Sequence, residues 1–254
     1  MQGEGKEVSD HDVLGYYKGK PVIEHYEEAT RRVGLWISEE LVFRHSFPDR
    51  EASLLELGCG TGRICLSLWM LGYENLTATD FSKPMIDRAI LNQKERGSGI
   101  RFFVEDATCL TFSDNSFDGL IFGFNGLMQI PGRENRRKAM SEAFRVLKDG
   151  ARFVFTTHDR VFPKWKKFWA VEKKKWRAGE QDESLIDFGD RFEETSKGKL
   201  FIHVPDNEEV RQDLKKAGFV VERDLLRSRL AEESKLVKEF SDECCFWIAR
   251  KPAG

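Results

Sequence analysis

The chain has 254 residues, 40% hydrophobic and 33% charged, with a formal net charge of −2. That balance argues against a broadly basic nucleic-acid binder, and no apolar stretch approaches the roughly 20 residues that a membrane helix needs. The length suits one large α/β domain with an inserted subdomain. The five cysteines, at 59, 65, 109, 244 and 245, form no CxxC pair and have no histidine at metal-ligand spacing. They read as small hydrophobes in a reducing, cytoplasmic setting, with no metal.

In chain order, "MQGEGKEVSDHD" is polar, fits neither a signal nor a transit peptide, and reads as a mobile tail. Residues 21–43 read as one helix with packed aromatic positions. "SLLELG" (53–58) reads as a buried strand, followed by a helical pattern over 63–71. A second strand is predicted over 74–80, then a helix over 82–96 with Ser82 as its N-cap and Pro84 in its first turn. Strands follow at 100–106 and 116–124, then an amphipathic helix at 134–150 with Gly150 as its stop, then a fifth strand at 151–159. Repeated βα units of this length imply a doubly wound parallel sheet, whose ligands bind beyond the carboxyl ends of its strands. The glycine turn, Asp80, Asp106, Asn125 and His158 all fall at such ends.

The turn is "LLELGCGTGR", with Gly58, Gly60 and Gly62 at alternate positions. It departs from the dinucleotide fingerprint, because the third glycine comes one residue early and Arg63 takes the last position. Glu56 precedes it, and Asp80 and Asp106 close the next two strands. An acid ending the second strand can accept both hydroxyls of a ribose. Carboxylates around the turn would repel a pyrophosphate but suit a cationic amino acid and a sulfonium.

With these motifs the sequence resembles the class I S-adenosylmethionine-dependent methyltransferases over about 50–160, most closely their small-molecule branch. "ELGCGTGR", "ATDFSKPMIDRA", "VEDATCLTF" and "SFDGLIFGFNGLMQI" look like the family's first four motifs. The resemblance implies a Rossmann-like, seven-stranded, mostly parallel sheet with an antiparallel last strand, and S-adenosyl-L-methionine as cofactor. Its methionine part would lie on Gly58–Gly62, with Glu56 and Arg63 beside the turn. Asp80 would hold the ribose, Phe81 and Met85 would flank the adenine, and Asp106 with Ala107 would read its edge. Phe124 and Asn125 would line the methionine side. The family's final hairpin would come from 219–226 and 244–251, which a helix-forming spacer separates here. "DGAR" stands where the family usually has a double glycine.

Methyl transfer is an in-line displacement whose neutral thioether leaving group needs no proton, so a base is optional. His158 could act as base or orient the acceptor, or simply close its strand as a polar residue. In "KLFIHVP", Leu200, Ile202 and Val204 share one face, while Phe201 and His203 share the other, a substrate wall or solvent. His25 lies in the 21–43 helix, which in this fold class often covers the cofactor. Tyr16, Tyr17 and Tyr26 are candidates for closing the pocket or for core packing.

About 45 residues separate strand five from the helix at 206–218, far more than such a connection needs. This insertion opens with Phe162, Trp165, Trp169 and Trp176 at near-helical spacing among seven Lys and Arg residues. An amphipathic helix with a solvated basic face, an aromatic lid over an acceptor (Trp165, Trp169) and an RNA surface are the three readings. The acidic segment that follows argues against RNA. The expected division is 1–48 as tail and cap helices, 49–159 as cofactor core, 160–204 as inserted cap and 205–254 as completion of the sheet. The expected function is methylation of a small organic acceptor, with RNA-base methylation and a non-catalytic partner subunit as alternatives. The oligomeric state stays open.

Overall fold

The computed structural model describes residues 7–254. Three N-terminal helices come first, α1 (Asp10–Tyr17), α2 (Lys20–Arg32) and α3 (Ile37–Ser46). The core alternates β1 (Leu54–Glu56), α4 (Arg63–Met70), β2 (Leu76–Asp80), α5 (Lys83–Arg96), β3 (Arg101–Val104), β4 (Phe117–Phe122), α6 (Arg133–Val146) and β5 (Leu147–Thr157). Next come α7 (Lys166–Ala178) and the hairpin β6 (Asp190–Thr195) and β7 (Gly198–His203). The chain then adds α8 (Asn207–Lys216), β8 (Val220–Leu226), α9 (Arg227–Leu230), α10 (Lys235–Phe240) and β9 (Cys245–Arg250).

Seven strands form one sheet in the order β3-β2-β1-β4-β5-β9-β8. The first five are mutually parallel, and β9 is antiparallel to both its neighbours. The expected fold class stands. Alternation along the strands feeds two cores. Leu55, Leu120, Phe153, Phe155 and Trp247 face α6 and α8. Leu54, Ile121, Val154, Phe246 and Ile248 face the side of α3 and α4. Strand order reverses at β1, which pairs with both β2 and β4, so the glycine turn leaves the sheet at its switch point.

Several boundaries differ from expectation. The predicted tail is helical from Asp10, and Val8 is buried; Met1–Lys6 of it lie outside the described residues. The single helix over 21–43 is two, broken where Gly34 adopts a φ of 61°. Helix α6 ends at Val146, not at Gly150, because Leu147 already pairs with Phe117 of β4. Ser82 occupies the N-cap of α5, but its hydroxyl donates to the Tyr17 carbonyl (3.2 Å) instead of capping.

Candidate active site

A cleft of about 1180 Å³, counted to its open mouth, lies over the carboxyl ends of β1, β2 and β4. Its floor is the glycine turn. Gly58 and Gly60 line it with φ of 62° and 56°, and a Cβ on Gly58 would come within 2.8 Å of the Phe122 ring. Gly60 has room for a Cβ, with Tyr26 no closer than 4.0 Å; its positive φ is what calls for glycine there. Gly62 does not line the cleft; it starts α4 with a φ of 93°, tight against Leu66.

The two acids that open this corner, Glu56 buried and Asp80 half-buried, have no ion-pair partner among the described residues. Asp80 accepts hydrogen bonds from the Gly60 and Ser82 amides, each at 2.8 Å. Burial pushes its carboxyl up to about 6, against the pull of those two N–H groups. Glu56 accepts from the Cys65 amide at 2.9 Å, and burial pushes it up to about 7 despite that bond and the nearby Arg63 charge. Phe81, Met85, Asp106 and Ala107 line the same cleft, and Asp106 Oδ1 accepts from the Thr108 amide and hydroxyl.

Arg63 reaches the cleft wall, yet its guanidinium is committed elsewhere. It donates to both carboxylate oxygens of Glu39 (2.6 and 2.7 Å) and to the Gly34 carbonyl (2.8 Å), and lies over the Trp36 ring. It ties α3 to the glycine turn.

The next wall is aromatic. Phe124 lines the cleft, stacked on Phe240 and edge-on to Tyr26. Phe124 and Asn125 hold consecutive positive φ values of 51° and 59°, a strained turn for non-glycine residues. Asn125 is buried and turned away from the cleft. Its Nδ2 donates to His158 Nε2 (3.2 Å), while His158 Nδ1–H donates to the Glu243 carbonyl (2.9 Å). That second bond fixes the Nδ1–H tautomer and leaves Nε2 as the acceptor.

Helix α1 forms the roof. Tyr17 and Tyr26 line the cleft, and the Tyr17 hydroxyl donates to Gln129. Burial pushes the Tyr17 phenol well up and Tyr26 up to about 12, so both stay protonated near neutrality. Tyr16 points outward to Thr195 of the hairpin. His25 packs at a tilt against Phe240.

The remaining predicted residues lie elsewhere. His158, Trp165 and Trp169 line a separate, smaller cleft under α7 with Phe162 and Arg191. Trp169 is part of the core, packed on Phe168 and Phe188. Phe201 and His203 line neither of these two clefts, and both residues are buried. His203 is bonded at 2.7 Å to Asp190 and at 2.7 Å to Glu209, beside the buried Arg136. Burial raises the Glu209 carboxyl, but the bond to His203 and the Arg160 charge bring it down to about 2. Sequence reasoning missed Asp10, Val13, Leu14, Gln129 and Phe240 as cleft residues. The 3–4 spacing of Asp10, Val13, Leu14 and Tyr17 was the available signal for the first three.

Residues 54–150 match the family described as "Methyltransferase domain". The matched stretch carries the glycine turn, Glu56, Asp80 and Asp106. A curated demethylmenaquinone methyltransferase of Bacteroides fragilis is 36% identical over 122 residues, 46% of this chain and 48% of that protein. The chain thus spans about half the length of the curated relatives it matches. Among solved structures, the cyclase SpnF superposes with a TM-score of 0.69 at 18% identity, covering 98% of this chain and 99% of that one. A SAM-dependent methyltransferase of Methanosarcina mazei gives 0.66 at 20% identity, covering 84% and 98%. At such identities these likenesses speak for the shared fold. Of the elements outside the matched stretch, α1, Tyr26, Ala29 and Thr30 of α2, and Phe240 of α10 line the cleft. No helix among the described residues is long and apolar enough to cross a membrane.

Proposed function

We propose that the chain moves the methyl group of S-adenosylmethionine to a small organic acceptor by in-line displacement. The observation that carries this is the pair of carboxyls, buried Glu56 and half-buried Asp80, that stand beside the glycine turn with no ion pair of their own among the described residues. A ligand bearing an ammonium, a sulfonium and a ribose diol fits them; an anionic dinucleotide does not.

The cofactor, when bound, supplies an electrophilic methyl and departs as a neutral thioether. In our reading Asp80 grips the ribose hydroxyls, Glu56 faces the methionine ammonium, and Gly58 and Gly60 let the backbone approach. Phe81 and Met85 flank the adenine, Asp106 and Ala107 meet its edge, and Phe124 walls the methionine side. Arg63, Gly62 and Asn125 support this shell from behind. No dedicated base is assigned: His158 has its free nitrogen occupied by Asn125, and the two tyrosines hold their protons. The chain then acts by aligning the acceptor and excluding water. Tyr26, Phe124 and Phe240 suit a flat, apolar acceptor, in keeping with relatives named for demethylmenaquinone. We assign 49–159 to the cofactor, 160–204 to a cap and 205–254 to completion of the sheet. Five free cysteines favour a cytoplasmic setting.

Calorimetry with S-adenosylhomocysteine tests the reading. Asp80→Ala should lose roughly 2–4 kcal/mol, tens- to several-hundred-fold in affinity, with two charge-assisted hydrogen bonds gone. Unchanged affinity sinks the assignment. Tritium transferred from labelled cofactor to RNA rather than to small molecules would turn the reading toward RNA.

A further inference from the structure

Helix α1 presents one stripe to the cleft, with Asp10, Val13, Leu14 and Tyr17 at i, i+3, i+4 and i+7. Eight residues span about 12 Å, close to the length of an adenosine. The two ends of the stripe meet different chemistry. Tyr17 sits over the start of α5, where its carbonyl accepts from Ser82 and its hydroxyl donates to Gln129. Asp10 sits at the other end, where Asp106 lies.

The Asp10 side chain makes no hydrogen bond or ion pair with any described residue. Asp106 spends Oδ1 on Thr108 and leaves Oδ2 unbonded. Burial, then the Asp106 charge, hold the Asp10 carboxyl above its usual range, with Lys138 partly offsetting them. The two carboxyls therefore face the same cleft and repel each other without a hydrogen bond to join them. A group that donates in two directions would relieve both.

We propose that Asp10 on the roof and Asp106 on the floor each accept one hydrogen of the cofactor's exocyclic amino group, so that α1 closes over an adenine and not over a base bearing a carbonyl there. This rests on the S-adenosylmethionine reading above and adds a binding residue from outside the methyltransferase domain.

The test is calorimetry with S-adenosylhomocysteine and S-inosylhomocysteine, whose base carries a carbonyl in place of the amino group. Wild type should prefer the adenosine ligand. Asp10→Ala should weaken the adenosine ligand about tenfold while leaving the inosine ligand unchanged or tighter, so the preference shrinks. Asp10→Asn, whose amide oxygen still accepts, should lie between. Equal affinities in wild type and Asp10→Ala, or a loss equal for both ligands, would reduce Asp10 to a packing residue and overturn the proposal. Wild type binding neither ligand would instead count against the cofactor reading itself.

Discussion

Glu56 and Asp80 set how the cleft responds to pH. Both carboxyls are raised by burial, so the folded, empty protein binds protons more readily than the unfolded chain. Their contribution to stability is present below the ordinary carboxylate range and is lost as the pH rises through about 6 for Asp80 and about 7 for Glu56. A cationic ligand reverses the preference, since it needs the carboxylates ionised. Affinity for S-adenosylmethionine should therefore fall as the pH drops through that window, by up to about tenfold per pH unit for each carboxyl that protonates. Calorimetry across pH, repeated with Glu56→Gln, checks this; a flat profile, or one that Glu56→Gln leaves unaltered, removes Glu56 from the site. The motif acids were legible because glycine turns and strand-ending acids are local in sequence. The engagement of His158 was not, because its partners, Asn125 and the Glu243 carbonyl, come from distant segments.

At the scale of elements, helix α7 has the two faces that its sequence spacing suggested. Its aromatic face packs inward, with Trp169 in the main core, and Lys166, Lys167, Lys173 and Lys174 are solvent-exposed. Trp169→Ala should cost about 3–5 kcal/mol of stability, the usual range for a buried tryptophan. Neutralising Lys173, Lys174 and Lys175 together should stay within about 1 kcal/mol, as solvated charges do. Urea titrations of the two variants check both figures; a stable Trp169→Ala protein would return that ring to the acceptor. Periodicity predicted the helix correctly. It could not say which aromatic side chains meet a ligand and which meet the hairpin, because that depends on how β6 and β7 fold back. The break between α2 and α3 escaped for a related reason: Gly34 lies in an otherwise continuous helical pattern, and the Arg63 guanidinium that bonds its carbonyl is far along the chain.

Across the whole molecule, the insertion is fastened to the methyltransferase domain by charge as well as by apolar contact. Arg136 of α6 is buried and donates to the Ile130 carbonyl and to Asp187, within 4.0 Å of Glu209. Removing one member of such a buried network leaves the others uncompensated. Arg136→Ala should lower unfolding stability by about 3–5 kcal/mol. Denaturant titration measures this, and a loss below about 1 kcal/mol would mean the hairpin is held by its apolar contacts alone. The parallel sheet with helices on both faces followed from the βα rhythm of the first five strands. The network did not, since its acids and bases look like ordinary surface charges until the fold gathers them.

Strand β9 lies between β5 and β8, not at the edge, and it follows both in the chain. During synthesis the ribosome therefore delivers every parallel strand, the glycine turn and both floor carboxyls well before the strand that closes the gap. Until then β5 presents an open edge carrying Phe153 and Phe155, a template for pairing with a neighbouring nascent chain. Phe240, which walls the cleft, arrives only a few residues ahead of β9. A cofactor thus meets a complete pocket only after α10 and β9 have been made, and it stabilises the folded domain rather than guiding its earlier strands.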